Sequence, residues 1–208
     1  MFETTQSSVN PLAILKQPKP PRLYTLDEYL RMEGRSQDKY EYYNGKIIKM
    51  PYARARHNIL SSNATIHIGS AIQALGKNYI LFSSDQKIYL PELNYGLYAD
   101  ALVVCEEPKY WQGNDLLLIN PVLIIEVLSK STQKYDRTGK FDEYKTLPSF
   151  KEYLLIRQDE CHVESRYKEE PNLWRETTAT NLDSNIFLKS IGCELSLKAL
   201  YKNVKLDT

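Results

Sequence analysis

Two acids stand in apolar surroundings where acids are seldom found. Glu126 interrupts residues 121–129 (PVLIIEVLS), and Asp100 sits among Tyr98, Leu102 and Val103 in residues 97–104 (LYADALVV). An acid on a strand buried on both faces must be met by a cation, a metal or a proton, because burying it bare costs several kcal/mol or more. Two acids on neighbouring apolar strands are what a divalent-metal site needs. Beyond Glu126 come Ser129, Ser131 and Thr132, then Asp136, Lys140, Glu143 and Tyr144. Asp136, Lys140 and Tyr144 recur at i, i+4 and i+8, which places them on one face of a helix. A strand, a short turn and a helix fold that face back over the strand's end, where Lys140 can lie beside both acids. Carboxylates for Mg2+ or Mn2+, with a lysine to position or activate a water, are the parts of metal-assisted phosphodiester hydrolysis. By spacing alone, an Asp–Lys helix pair is usually a solvated face.

The elements that must position these residues follow from local signals. Residues 1–22 are polar and rich in proline (Pro11, Pro18, Pro20, Pro21), which predicts a mobile or loosely packed arm before a domain spanning 23–208. Thr25 with Glu28 forms a capping box, and Leu26, Tyr29 and Leu30 give a helical face ending near Gly34. Residues 40–43 and 46–50 flank Asn44-Gly45, the strongest short hairpin signal because both turn residues need positive φ. Residues 55–75 turn helical through Ile59, Ile66, Ile68, Ile72 and Leu75, with Gly76 as terminator. One strand is expected over 80–90 and another around Asp100, then a loop over 106–114 and the Glu126 strand. A helix over about 135–146 follows, bounded by Pro148, and then a buried strand at 152–156 (EYLLI). Residues 162–180 suggest an exposed hairpin, and 186–200 a strand with a short helical turn. The order predicts an α/β fold, a mixed sheet with helices packed on it.

Composition sets the outer bounds. A chain of 208 residues with 42% hydrophobic and 25% charged residues is ordinary globular material and fits one domain. The net charge of +1 supplies no bulk attraction to nucleic acid, so any basic surface must come from local clustering. Cys105, Cys161 and Cys193 are an odd count without CxxC spacing, which suggests reduced thiols in a cytoplasmic protein. No signal-peptide pattern opens the chain, and no apolar run approaches the ~18 residues of a membrane span. The 16 tyrosines suit strand edges better than stacking platforms.

The segments YEYYNGKIIKM, ARHNIL, LYADALVV, PVLIIEVLSKST and KYDRTGKFDEY with FKEYLLI together resemble the Uma-two family of restriction-endonuclease-like proteins. That family is abundant in cyanobacteria and belongs to the PD-(D/E)XK nuclease superfamily. The resemblance covers residues 24–201. It implies a restriction-endonuclease-like core, a mixed central sheet flanked by helices, with a divalent-metal site on it. Carried over by position, Asp100 is the first acid and Glu126 the second. Leu128 stands where the superfamily places its lysine, and Lys140 on the following helix takes that role. Val127 offers a backbone carbonyl to the metal, Glu41 on the first hairpin can join the site, and His57 matches a histidine opening the second helix. Ala99 replaces the proline before the first acid, and Tyr42-Tyr43 replaces an aliphatic pair.

The resemblance thus implies an intracellular Mg2+- or Mn2+-dependent endonuclease acting on DNA, as a homodimer if both strands are cut. Catalysis would rest on Asp100, Glu126 and Lys140, with support from His57, Asp136 and Tyr144. Each has a plain structural alternative. Glu126 and Lys140 also fit a buried ion pair, Asp100 a turn cap, Glu41 an exposed hairpin acid and Asp136 a helix cap or anchor for Lys140. His67 and His162 fit packing or surface roles. Two rival functions remain: a nuclease fold that binds DNA or a partner with little or no hydrolysis, and a nuclease for RNA or branched DNA.

Overall fold

The computed structural model describes residues 22–207. Of the arm expected over 1–22, only Arg22 lies within the described residues. Thr25 caps α1 (Leu26–Glu33): its hydroxyl accepts from the Glu28 N–H while the Glu28 carboxylate accepts from the Thr25 N–H. Strands β1 (Tyr40–Tyr43) and β2 (Lys46–Lys49) turn through Asn44 and Gly45, both at positive φ. Helix α2 (Ala55–Ala74) follows, with Gly76 at positive φ just beyond it. Its buried residues are Leu60, Ala64, Ile68 and Ile72, one every fourth position. Ile66 and Leu75, expected on the apolar face, are exposed. A strict four-residue series forms a narrower stripe than the scatter of isoleucines implies, and it passes through Ala64 instead.

Two segments expected as single strands are each broken between sheets. Residues 80–90 divide into β3 (Ile80–Ser83) and β4 (Lys87–Leu90), because the polar run Ser84-Asp85-Gln86 turns the chain, with Gln86 N–H donating to Ser83 O at 3.3 Å. Residues 97–104 divide into β5 (Tyr95–Tyr98) and β6 (Ala101–Val104), leaving Asp100 in the step between them. With β7 (Leu117–Leu118), one sheet runs β2-β1-β5-β4-β7. The other adds β8 (Leu123–Leu128), β9 (Glu152–Arg157), β10 (Val163–Glu170) and β11 (Leu173–Ala179) in the order β11-β10-β9-β8-β6-β3. β8 runs parallel to β9 and β4 parallel to β7; the other pairings are antiparallel, so both sheets are mixed. The hairpin expected over 162–180 is β10–β11, whose first residues Val163, Glu164 and Ser165 are buried. Residues 186–200 contain a hairpin, β12 (Asn185–Leu188) with β13 (Cys193–Ser196), then α5 (Leu197–Leu200). No helix among the described residues is long and apolar enough to cross a membrane.

β8 separates two cores. Leu123, Ile125 and Val127 pack with the α2 and α5 side chains, while Ile124 and Leu128 pack with Phe141, Tyr144, Phe150 and Tyr153. Side chains alternate along a strand, so Glu126 shares the face of Ile124 and Leu128 and meets the aromatic side. The helix expected over 135–146 is in fact two, α3 (Gln133–Arg137) and α4 (Gly139–Tyr144), broken at Thr138 (φ −125°, ψ −79°). Three contacts accompany the break. Thr138 Oγ1 donates to Lys134 O at 2.7 Å, Arg166 Nη1 donates to Arg137 O at 2.6 Å, and the Tyr135 ring takes the space that a side chain at Gly139 would need. A Cβ at 139 would sit 2.8 Å from Tyr135 Cδ2. Gly139→Ala is therefore expected to cost about 1–3 kcal/mol as an overpacked contact, visible as a lower urea midpoint at constant m. An unchanged midpoint would show that the ring yields freely.

Candidate active site

The step between β5 and β6 ties Asp100 to the strand carrying Glu126. Asp100 N–H donates to Ile125 O at 3.1 Å, and Asp100 Oδ2 accepts from Val127 N–H at 2.7 Å. A residue's N–H and C=O leave a strand on the same edge, so the Val127 carbonyl also faces the Asp100 side, beyond the end of β6. His57, in the first turn of α2, places Nε2 3.3 Å from Asp100 Oδ2. Its Nδ1 is buried and has no hydrogen-bond partner among the described residues. Burial disfavours a charge on this imidazole, but the Asp100 carboxylate outweighs it and holds the pKa above its ordinary value.

Lys140 occupies the centre of the remaining acids. Its Nζ lies 2.9 Å from Glu126 Oε1 and 3.6 Å from Glu41 Oε1, and donates to Tyr98 O at 2.8 Å. The Lys140 and Glu126 side chains are only 6% and 7% exposed. Burial pulls the Lys140 pKa down, but Glu126 and Glu41 push it up further, so the ammonium keeps its proton. Burial raises Glu126 despite Lys140, with Asp136 and Asp100 adding repulsion. Tyr144 donates to Glu126 Oε1 at 3.2 Å, and burial with that carboxylate keeps its phenol protonated. Glu41, on β1, accepts from Tyr98 N–H at 3.2 Å and from Tyr43 OH at 2.7 Å. Asp136 is buried; burial raises its pKa and Lys140 opposes, although no ion pair joins the two among the described residues. Asp136, Lys140 and Tyr144 thus all belong to the buried centre, but from two short helices broken at Thr138, not from one continuous helix.

A model of the Uma2 family, described as "Putative restriction endonuclease", matches residues 26–199. The chain belongs to the Uma2 family. Among its relatives, the Synechocystis "Uncharacterized protein sll1609" is 35% identical over 157 residues, 74% of this chain and 85% of that protein. A second Synechocystis relative, "Uncharacterized protein slr1290", is 28% identical over 178 residues, 86% of this chain and 91% of its own. A crystal structure of "a putative nuclease belonging to DUF820" from Anabaena variabilis has a TM-score of 0.68 at 20% identity, covering 86% of this chain and 98% of that one. That likeness establishes the fold, a restriction-endonuclease-like α/β core.

The Uma2 chain offers hard oxygen donors to a divalent cation. Among the described residues, no three His, Cys, Asp or Glu side chains converge closely enough to hold a metal ion. Mg2+ commonly takes only one or two carboxylates and completes its shell with waters and substrate phosphate. Hydrogen bonds within the described residues engage Asp100 Oδ2 and Glu126 Oε1, so each carboxylate keeps a second oxygen without such a bond. With the Val127 carbonyl, that donor set suits Mg2+ or Mn2+ in chemistry. Glu41 has both oxygens occupied by Tyr98 N–H and Tyr43 OH.

Other parts of this Uma2 site escaped sequence reasoning. Tyr98 serves it through its backbone, which carries no side-chain signal, while its hydroxyl donates to Glu33 at 3.0 Å. Glu33 pairs in turn with buried Lys87. Tyr43 shares a strand face with Glu41, a period-two signal that was available. Tyr135 OH donates to Glu143 Oε2 at 2.5 Å and lies 3.2 Å from Tyr43 OH, extending the network toward the surface. His162 lies 3.0 Å from Glu164 on β10 and takes no part; His67 is partly exposed on α2.

Proposed function

We propose that this protein is a Mg2+- or Mn2+-dependent endonuclease that hydrolyses phosphodiester bonds in DNA. The observation that supports the proposal is that, at the junction of two sheets in a Uma2 chain, Asp100 bonds the Val127 N–H next to Glu126 while Glu126 pairs with Lys140. Asp100, Glu126 and the Val127 carbonyl would hold the cation, with Glu41 as a further carboxylate beside Lys140. When bound, the cation supplies Lewis-acid polarisation of the phosphate and a lowered pKa for water.

The chain's own groups do the rest. Lys140, held as an ammonium by its acidic neighbours, would donate to the attacking water or to charge developing on the phosphate. Tyr144 and Lys140 fix one oxygen of Glu126 and so turn its carboxylate plane. Val127 N–H and His57 do the same for Asp100. Asp136 adds negative potential that keeps Lys140 protonated. Cutting both strands of a duplex calls for two such sites, hence a homodimer. Free Cys105, Cys161 and Cys193 suit the reducing cytoplasm.

One observation favours a second reading, a nuclease fold that binds DNA or a partner without turnover. Lys140 already pairs with both Glu126 and Glu41, as it would in a purely structural ion network. A substrate panel separates the readings: duplex, single-stranded and branched DNA and RNA, each with Mg2+, Mn2+ or EDTA. The proposal predicts metal-dependent cleavage of duplex DNA. Binding without cleavage of any substrate would transfer the assignment to the second reading.

A further inference from the structure

The carboxyl ends of the parallel strands β8 and β9 carry a second group of charges, separate from the buried acids. Arg56, in the first turn of α2, places Nη1 2.6 Å from Asp207 Oδ1. Lys130, in the loop between β8 and α3, places Nζ 3.6 Å from Asp207 Oδ2. One carboxylate is thus held, oxygen by oxygen, between cations from two different elements. Its segment is anchored: Asp207 N–H donates to Asp159 O at 2.8 Å, and Val204 and Leu206 pack against the α2 core.

Both cations neighbour the candidate active site along the chain. Arg56 precedes His57, whose ring meets Asp100, and Lys130 closely follows Glu126 and Val127 on leaving β8. All three side chains of the cluster are exposed, at 39% for Arg56, 48% for Asp207 and 78% for Lys130. Exposed pairs of this kind add little to stability, so exchanging Asp207 for another anion would cost the fold little. A carboxylate and a phosphodiester both present two oxygens sharing one negative charge, and Arg and Lys recognise either. The start of α2 reinforces the preference, since Arg54 offers no side-chain cap and the first turn contains no acid.

We propose that Arg56 and Lys130 form a subsite for a DNA backbone phosphate beside the scissile position, and that Asp207 occupies it in the free protein. The inference rests on the reading of the centre as one that engages DNA. DNA entry then exchanges an internal carboxylate for a phosphate at the same two cations. Asp207 acts as a competitor, and the two cations contribute to the salt dependence of binding.

The test is fluorescence anisotropy of the full chain with a labelled duplex in EDTA, across a salt series, so that cleavage plays no part. Asp207→Asn should tighten binding severalfold. Arg56→Gln and Lys130→Gln should each weaken it and reduce the slope of log Kobs against log[salt] by about 1. Asp183→Asn, which removes an exposed charge paired with Lys198, is the reference for a general charge effect. Asp207→Ser repeats the test should the asparagine variant melt early. Equal tightening by Asp183→Asn and Asp207→Asn, or unaltered slopes for both cation variants, would overturn the subsite. If the predicted responses appear but the wild type never cleaves in Mg2+ or Mn2+, the subsite stands and the hydrolase reading fails. Cleavage by the wild type with no variant response would keep the hydrolase and remove the subsite.

Discussion

Lys140→Met is expected to cost the fold about 3–5 kcal/mol, the usual penalty for leaving a buried charge without its partner. Lys140 and Glu126 are both almost wholly enclosed, and the ammonium lies 2.9 Å from one carboxylate and 3.6 Å from the Glu41 carboxylate. Methionine fills similar volume, so the loss comes from uncompensated charge, not from a cavity. Pairing it with Glu126→Gln removes the more deeply buried of its two carboxylate partners, and the double variant should regain much of the loss. Urea unfolding of the four proteins in a double-mutant cycle measures that coupling directly. A single variant as stable as wild type would show that Lys140 is not the counterion of Glu126.

Asp100→Asn is expected to separate chemistry from folding. The asparagine carbonyl can keep the Val127 N–H bond that Asp100 Oδ2 now accepts at 2.7 Å, so the β5–β6 step should hold. What disappears is the negative charge, and with it the hard anionic donor of the proposed metal site. Lewis-acid stabilisation worth several kcal/mol corresponds to a fall in cleavage rate of about 10^3-fold or more. The His57 pKa should also fall, because Asp100 is the largest of the groups that raise it against burial. Unaltered cleavage by folded Asp100→Asn protein would remove Asp100 from the mechanism.

The sequence was legible wherever chemistry is local. The Thr25–Glu28 capping box, the Asn44-Gly45 hairpin and the extent of α2 depend on neighbouring residues, and all three form as expected. Glu126 and Lys140 were legible because a lone acid in PVLIIEVLS demands a partner, and here the partner is Lys140. Apolar alternation, by contrast, does not say which sheet a strand joins. Residues 97–104 therefore gave no sign of stepping between sheets, although that step is what sets Asp100 against β8. In 80–90, by contrast, the polar run Ser84-Asp85-Gln86 was a turn signal that the flanking apolar residues masked. The break at Thr138 was hidden for another reason: it is accompanied by the contact of Gly139 with Tyr135 and by Arg166 reaching from β10 to Arg137 O. The approach of Glu41 to Lys140 is likewise tertiary, and Tyr98 contributes only backbone atoms.

The most direct measurement is conversion of supercoiled plasmid by purified wild-type and Asp100→Asn protein, side by side in Mg2+, Mn2+ and EDTA, with equal stability confirmed by urea unfolding. Wild type should give nicked and linear DNA with metal alone, and the variant should give neither product. Cleavage that survives EDTA or persists in Asp100→Asn would contradict the assignment of a metal-dependent centre at Asp100 and Glu126.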